Sequence, residues 1–97
     1  MASSTINKNT GIFQKRIDIG GIAVTTKGDQ WYYGDYGIKD QLPSGARIIA
    51  VNRGVNWSEN CVIDGYTINN KSVIHISCPF SQTIRSGSEV VVVYTID

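Results

Sequence analysis

The 97-residue chain has one histidine, two cysteines and two prolines, and its basic and acidic residues nearly cancel. Each scarcity excludes something. A single histidine, His75, and two cysteines far apart, Cys61 and Cys78, do not make the set of His and Cys ligands that transition-metal sites draw on. No metal and no cofactor are expected. A formal charge of +1 gives no electrostatic case for nucleic acid or anionic lipid. It also does little to oppose self-association. No apolar run approaches the roughly 20 residues that a membrane helix needs. Met1 to Thr10 has no apolar core, so it does not read as a secretory signal. Helix formers are sparse, and no glycine-rich phosphate loop opens a helix.

The cysteines form no CxxC pair. They read as two small buried hydrophobes. A disulfide is the alternative, against which the lack of a secretion signal argues, and a reactive thiol is a third reading.

What the chain does have is Val, Ile, Thr and Tyr in short runs, punctuated by Gly and Asn about every ten residues. Residues 12–19 alternate, with Phe13, Lys15, Ile17 and Ile19 on one side and Gln14, Arg16 and Asp18 on the other. Gly20-Gly21 breaks that strand, and Ile22 and Val24 resume. Lys27-Gly28-Asp29 is a turn leading into Trp31-Tyr32-Tyr33. Leu42-Pro43-Ser44-Gly45 is another, with Pro set for its first corner. Ala46 to Arg53 and Glu89 to Asp97 are strands that are apolar on both faces, which calls for cover on both sides. Cys61 to Ile63 starts a further strand, Asn69-Asn70-Lys71 is a hairpin turn, and Val73 to Pro79 alternates again. About seven short strands between turns predict an all-β fold, a small antiparallel β-sandwich over 11–97, preceded by a short flexible arm over 1–10.

Catalysis is not expected. His75 lies in the alternating run VIHIS, either on the solvent face or as a hydrogen-bonded core residue. Asp29, Asp35 and Asp40 share one loop-rich segment, where a glycosidase would need two carboxylates flanking a cleft. In so small a chain they read as turn-forming aspartates.

The densest feature is Gln30 to Gly37, QWYYGDYG. Aromatic faces beside Asp, Asn and Gln hold sugars, and Tyr and Trp also anchor protein contacts. Trp31, Tyr32, Asp35 and Tyr36 are therefore candidate contact residues. The competing reading sends Trp31 and Tyr33 into the core with Tyr32 and Asp35 facing out. Trp57 is a further candidate because it sits in a polar loop between two strands. The two N-x-S/T matches, at Asn56 and Asn70, read as chance.

From Leu42 onward the order of features resembles the C-terminal modules of bacteriophage tail-fibre, baseplate and receptor-binding proteins. The resemblance rests on Leu42-Pro43-Ser44-Gly45 before the strand Ala46 to Val51, on the Asn-containing hairpin within Gly65 to Ile76, and on Ser86-Gly87-Ser88 before the β-branched strand Glu89 to Asp97. It implies a β-sandwich, commonly a homotrimer, displayed on a virion and often touching a cell-surface glycan. The chain departs from that pattern in starting with its own Met and having no fibrous shaft. It would then be a small subunit whose arm, with Ser3, Ser4, Thr5 and Ile6, docks onto a larger virion structural protein. The expected role is a fibre, tip or decoration subunit, assembled in the host cytoplasm and located in the virion. Two other readings stay open: a free lectin-like sugar-binding module, and an intracellular interaction or inhibitor domain.

Overall fold

Alternation at period two decides most of this chain's local structure, because every long strand has one face to bury. The computed structural model describes residues 11–57 and 60–96. The expected arm, with Ser3, Ser4, Thr5 and Ile6, lies outside the described residues. Among the described residues nine strands follow in order: β1 (Ile12–Asp18), β2 (Ala23–Val24), β3 (Thr26–Lys27), β4 (Tyr32–Gly37), β5 (Ala46–Arg53), β6 (Val62–Ile68), β7 (Lys71–Cys78), β8 (Gln82–Thr83) and β9 (Glu89–Ile96). One 3-10 turn, Lys39–Gln41, separates β4 from β5. Among the described residues no helix is long and apolar enough to cross a membrane.

The strands form an antiparallel, all-β sandwich. One sheet has the order β1-β9-β5, the other β3-β4-β7-β6, and β2 pairs with β8. Ile17, Val90, Val92 and Tyr94 from the first sheet share one core with Ile74, Ile76 and Cys78 from the second and with Ile19 just past β1. Full burial of one such aliphatic side chain contributes about 2 kcal/mol. Phe13 stacks on Tyr94 with ring centroids 5.6 Å apart, extending the core toward one end.

The Ile48-Ile49-Ala50-Val51 run acquires its two apolar faces through a bulge. Ile48 pairs with Tyr94, but Ala50 pairs with Val93, leaving Ile49 as the extra residue. Even-numbered Ala46 and Ile48 face the core before the bulge, and odd-numbered Val51 faces it afterwards. Ile49 is left 53% exposed. Opposite Val51 the second sheet carries Gly65, where any Cβ would overlap the Val51 side chain. Gly34 on β4 has the same role beneath the carbonyl of Ala23, so β2 crosses it in backbone contact.

Two turns set register. Asn69 and Asn70, at φ 53° and 63°, close a two-residue hairpin that pairs Ile68 with Lys71. Before β5 the hydrogen bond runs from the Ala46 amide to the Pro43 carbonyl, with Gly45 at φ 82°. Pro43 is thus the first residue of the turn, and Ser44 rather than Pro43 takes its first corner.

Cys61 and Cys78 are buried as expected of small hydrophobes, but they are also joined in a disulfide. The sequence reading that kept them as separate thiols is corrected here. Continuing the β6–β7 register by one residue puts the two directly opposite, with Cα atoms 4.4 Å apart. That spacing is the one a non-hydrogen-bonded antiparallel pair supplies.

Candidate functional site

Strand β4 positions the aromatic segment, reversing the two tyrosines of the core-packing alternative while keeping Asp35 outward. Tyr32 and Tyr36 turn inward and pack against the core, with the Tyr36 hydroxyl accepting from Gln41 Nε2 at 3.4 Å. Tyr33 and Asp35 point outward. The physical reason is Gly34, buried on the inner side where β2 lies too close for any side chain. Trp31 precedes the strand and is 40% exposed. Trp57 is half-buried and packs against the core, so it anchors its loop, with Nε1 enclosed and without a hydrogen-bond partner among the described residues. Of the five expected contact residues, Trp31 and Asp35 present themselves to solvent, while Tyr32, Tyr36 and Trp57 are drawn toward the interior.

Asp35 is the residue around which a site forms. The register pairs it with His75 on β7, and His75 in turn with Asp64 on β6. Asp35 Oδ1 accepts from His75 Nδ1 at 2.6 Å, and His75 Nε2 lies 3.3 Å from the Ser77 hydroxyl. With Nδ1–H committed to the carboxylate, Nε2 of the neutral ring takes the hydroxyl hydrogen. Tyr33 stacks on the imidazole, centroids 5.5 Å apart. Asp64 accepts the Gly65 amide through Oδ1 at 2.7 Å. Next to this row lie Gly37, Val73 and Tyr66. An added Cβ at Gly37 would meet nothing within 4 Å, so the space above it is open. Tyr66, 39% exposed, borders it.

Carboxylate, imidazole and hydroxyl stand in the order of a nucleophilic triad, and the geometry merits a chemical test on its own terms. Acyl transfer also needs donors aimed at a developing oxyanion. Ser77 lies mid-ladder, paired with Tyr33 on one side and Val62 on the other, so its own backbone groups are engaged in the sheet. The relay holds His75 and Asp35 in fixed orientation on an open face. An open cleft of about 590 Å³ lies elsewhere, between residues 39–47 and the β6–β7 hairpin. Among the described residues no cluster of three or more His, Cys, Asp or Glu side chains is placed to hold a metal ion.

The sequence reading did not single out Asp64, Tyr66 or Tyr33 as surface residues. The first two were within reach: the Asn69-Asn70 hairpin alone pairs Asp64 with His75 and Tyr66 with Val73. The pairing of β4 with β7 spans forty residues between Asp35 and His75, and no local signal announces it.

No protein-family model, curated protein or solved structure matches the chain.

Proposed function

We propose that the chain is a non-enzymatic structural subunit of a bacteriophage virion, a small fibre, tip or decoration protein that works by assembly and by attachment to the host surface. The observation that carries the reading is the outer face of the β1-β9-β5 sheet. Val91 and Val93 of the central strand point outward, beside Ile12 at 70% and Ile49 at 53% exposure. Gln14, Arg16 and Asn52 flank them. An apolar centre with a polar rim is the anatomy of an association surface. The fitting occupant is the same face of further copies, in a homotrimer, because the chain's near-neutral charge sets up little repulsion between copies.

The Cys61–Cys78 disulfide supports a location outside the reducing cytosol, and virion surfaces are among the places where such bonds persist. The resemblance of the Leu42 to Asp97 pattern to tail-fibre modules points the same way. Docking of the arm onto a larger virion protein belongs to this reading.

Light scattering on the purified chain tests it. The expected mass is three times the 10.6 kDa chain, and Val93→Lys reduces it to a monomer. A wild-type monomer at micromolar concentration would sink the assembled reading.

A further inference from the structure

The open cleft of about 590 Å³ lies at the end of the sandwich remote from the disulfide, between residues 39–47 and the β6–β7 hairpin. It shares no residue with the apolar assembly surface or with the Asp35–His75–Ser77 relay. We infer that this cleft binds a small oxyanion, the carboxylate or phosphate group of a ligand of small-molecule size. The inference goes beyond the assembly reading and does not depend on it.

A buried pair of hydroxyls supplies the first reason. Ser72 and Thr67 both line the cleft, and Ser72 is only 5% exposed. Thr67 Oγ1 accepts the Ile48 amide at 3.0 Å and lies 2.9 Å from Ser72 Oγ. Each hydroxyl has one hydrogen to donate and two lone pairs to accept with. The bond between the two uses one hydrogen, and the Ile48 amide occupies one lone pair. Whichever hydroxyl donates, one O–H is left without an acceptor among the described residues. A hydroxyl hydrogen so placed gains from an acceptor that arrives in the cleft, and gains more from a charged one.

The walls are tied down by backbone hydrogen bonds. The Ile38 amide donates to the Ser72 carbonyl at 2.9 Å, joining one wall to the other. The first wall is closed by the Gln41 amide on the Ile38 carbonyl and by the Ala46 amide on the Pro43 carbonyl. The second is the two-residue hairpin at Asn69 and Asn70. Ser44 and Asn70 line opposite walls and bring a hydroxyl and an amide, groups that donate to an anion. Both sit on tight turns, so a ligand has little chain left to order. A cleft of this volume takes a small molecule rather than a folded partner.

The sign of the charge names the ligand class. The two elements carry Lys39, Arg47 and Lys71 against Asp40, and Lys15 reaches from β1 to the Gln41 carbonyl. This excess of cations is local, since the whole chain has a formal charge of only +1. A metal cation would find one carboxylate here, and hard cations need several oxygen ligands. Among the described residues no group of three or more His, Cys, Asp or Glu is placed to hold one. An oxyanion is drawn in by the basic residues and accepts from the spare hydroxyl.

The test is an NMR titration of the isotope-labelled full chain with inorganic phosphate and with citrate, sodium chloride matching the ionic strength. Spermidine serves as the cationic probe. At least one of the two anions should shift the amides of Ser44 to Arg47 and Thr67 to Ser72 saturably, and spermidine should not. The tighter of the two anions separates phosphoryl from carboxylate chemistry. Asn70→Gly, which suits the backbone φ of 63°, should weaken binding about tenfold, the loss of one hydrogen bond to a charged acceptor. Asp40→Asn should tighten binding and Lys39→Gln should weaken it, each about threefold, the worth of an exposed charge pair. Lys27→Gln removes the same charge at the far end of β4 and should leave binding unchanged. Each variant should retain the spectrum of the folded domain. The inference is overturned if neither anion shifts these residues saturably, or if spermidine binds as tightly. It is also overturned if Asn70→Gly binds as the wild type does, or if Lys27→Gln weakens binding as much as Lys39→Gln.

Discussion

Cys61 and Cys78 are bonded where the β6–β7 ladder begins, one pair beyond Val62 and Ser77, and Gln82 Nε2 approaches their sulfurs at 2.9 and 3.3 Å. The bond therefore ties the open end of the hairpin whose other end is closed by Asn69 and Asn70. It also fixes the end of β7, the strand that carries His75.

Opening this bond should weaken the fold measurably. Its partners are 17 residues apart in sequence, and closing a loop of that size is worth about 3 kcal/mol. Urea unfolding with and without reductant reads the difference, as does the Cys61→Ala/Cys78→Ala pair. An unchanged midpoint would mean that the ladder alone holds these ends together.

Gly34 and Gly37 lie on the same strand and should respond in opposite ways to the same change. Gly34→Ala drives a Cβ into the Ala23 carbonyl, a backbone atom that cannot step aside, and should destabilise by about 2 kcal/mol. Gly37→Ala meets open space and should be nearly neutral. Thermal melts of the two proteins make the comparison, and equal melting temperatures would contradict the close crossing of β2 over β4.

The hairpin turn supplies a third check. Asn69 and Asn70 hold φ of 53° and 63°, a region that penalises a Cβ unless a short polar side chain or none is present. Asn69→Ala should cost about 1 kcal/mol, while Asn70→Gly should be tolerated or mildly stabilising. Reversal of that order in chemical denaturation would argue for a different turn.

Thr67 joins the two sheets. Its hydroxyl oxygen accepts the Ile48 amide at 3.0 Å and lies 2.9 Å from the hydroxyl of buried Ser72. Thr67→Val keeps the shape and strands both partners, so a loss of about 1–3 kcal/mol is expected. Hydrogen exchange at the Ile48 amide should quicken in the variant. Unchanged protection there would show that water replaces the hydroxyl without loss.

Much of the architecture was legible from local chemistry. Period-two alternation located the strands beginning near Ile12 and Val73, because a strand side chain has only two directions to take. Glycine and asparagine marked the turns, because Gly45, Asn69 and Asn70 occupy left-handed backbone that few residues enter. The apolar double-faced runs at 46–53 and 89–96 were visible too, although the sequence did not disclose that a bulge at Ile49 creates one of them.

Only the tertiary structure decided what those strands bring together. Whether Tyr32 or Tyr33 faces the core depends on β2 crossing Gly34, a contact with no counterpart in the alternation itself. Whether two cysteines remain thiols or bond depends on the register that sets their Cα atoms 4.4 Å apart. His75 looked like an isolated histidine because its carboxylate partner, Asp35, is forty residues away. The sequence by itself determined an all-β chain with its turns and most of its inward faces, since these follow from single-residue backbone preference and side-chain polarity. The pairing of distant strands determined the candidate site, because a surface made by three strands exists only after their order and register are set.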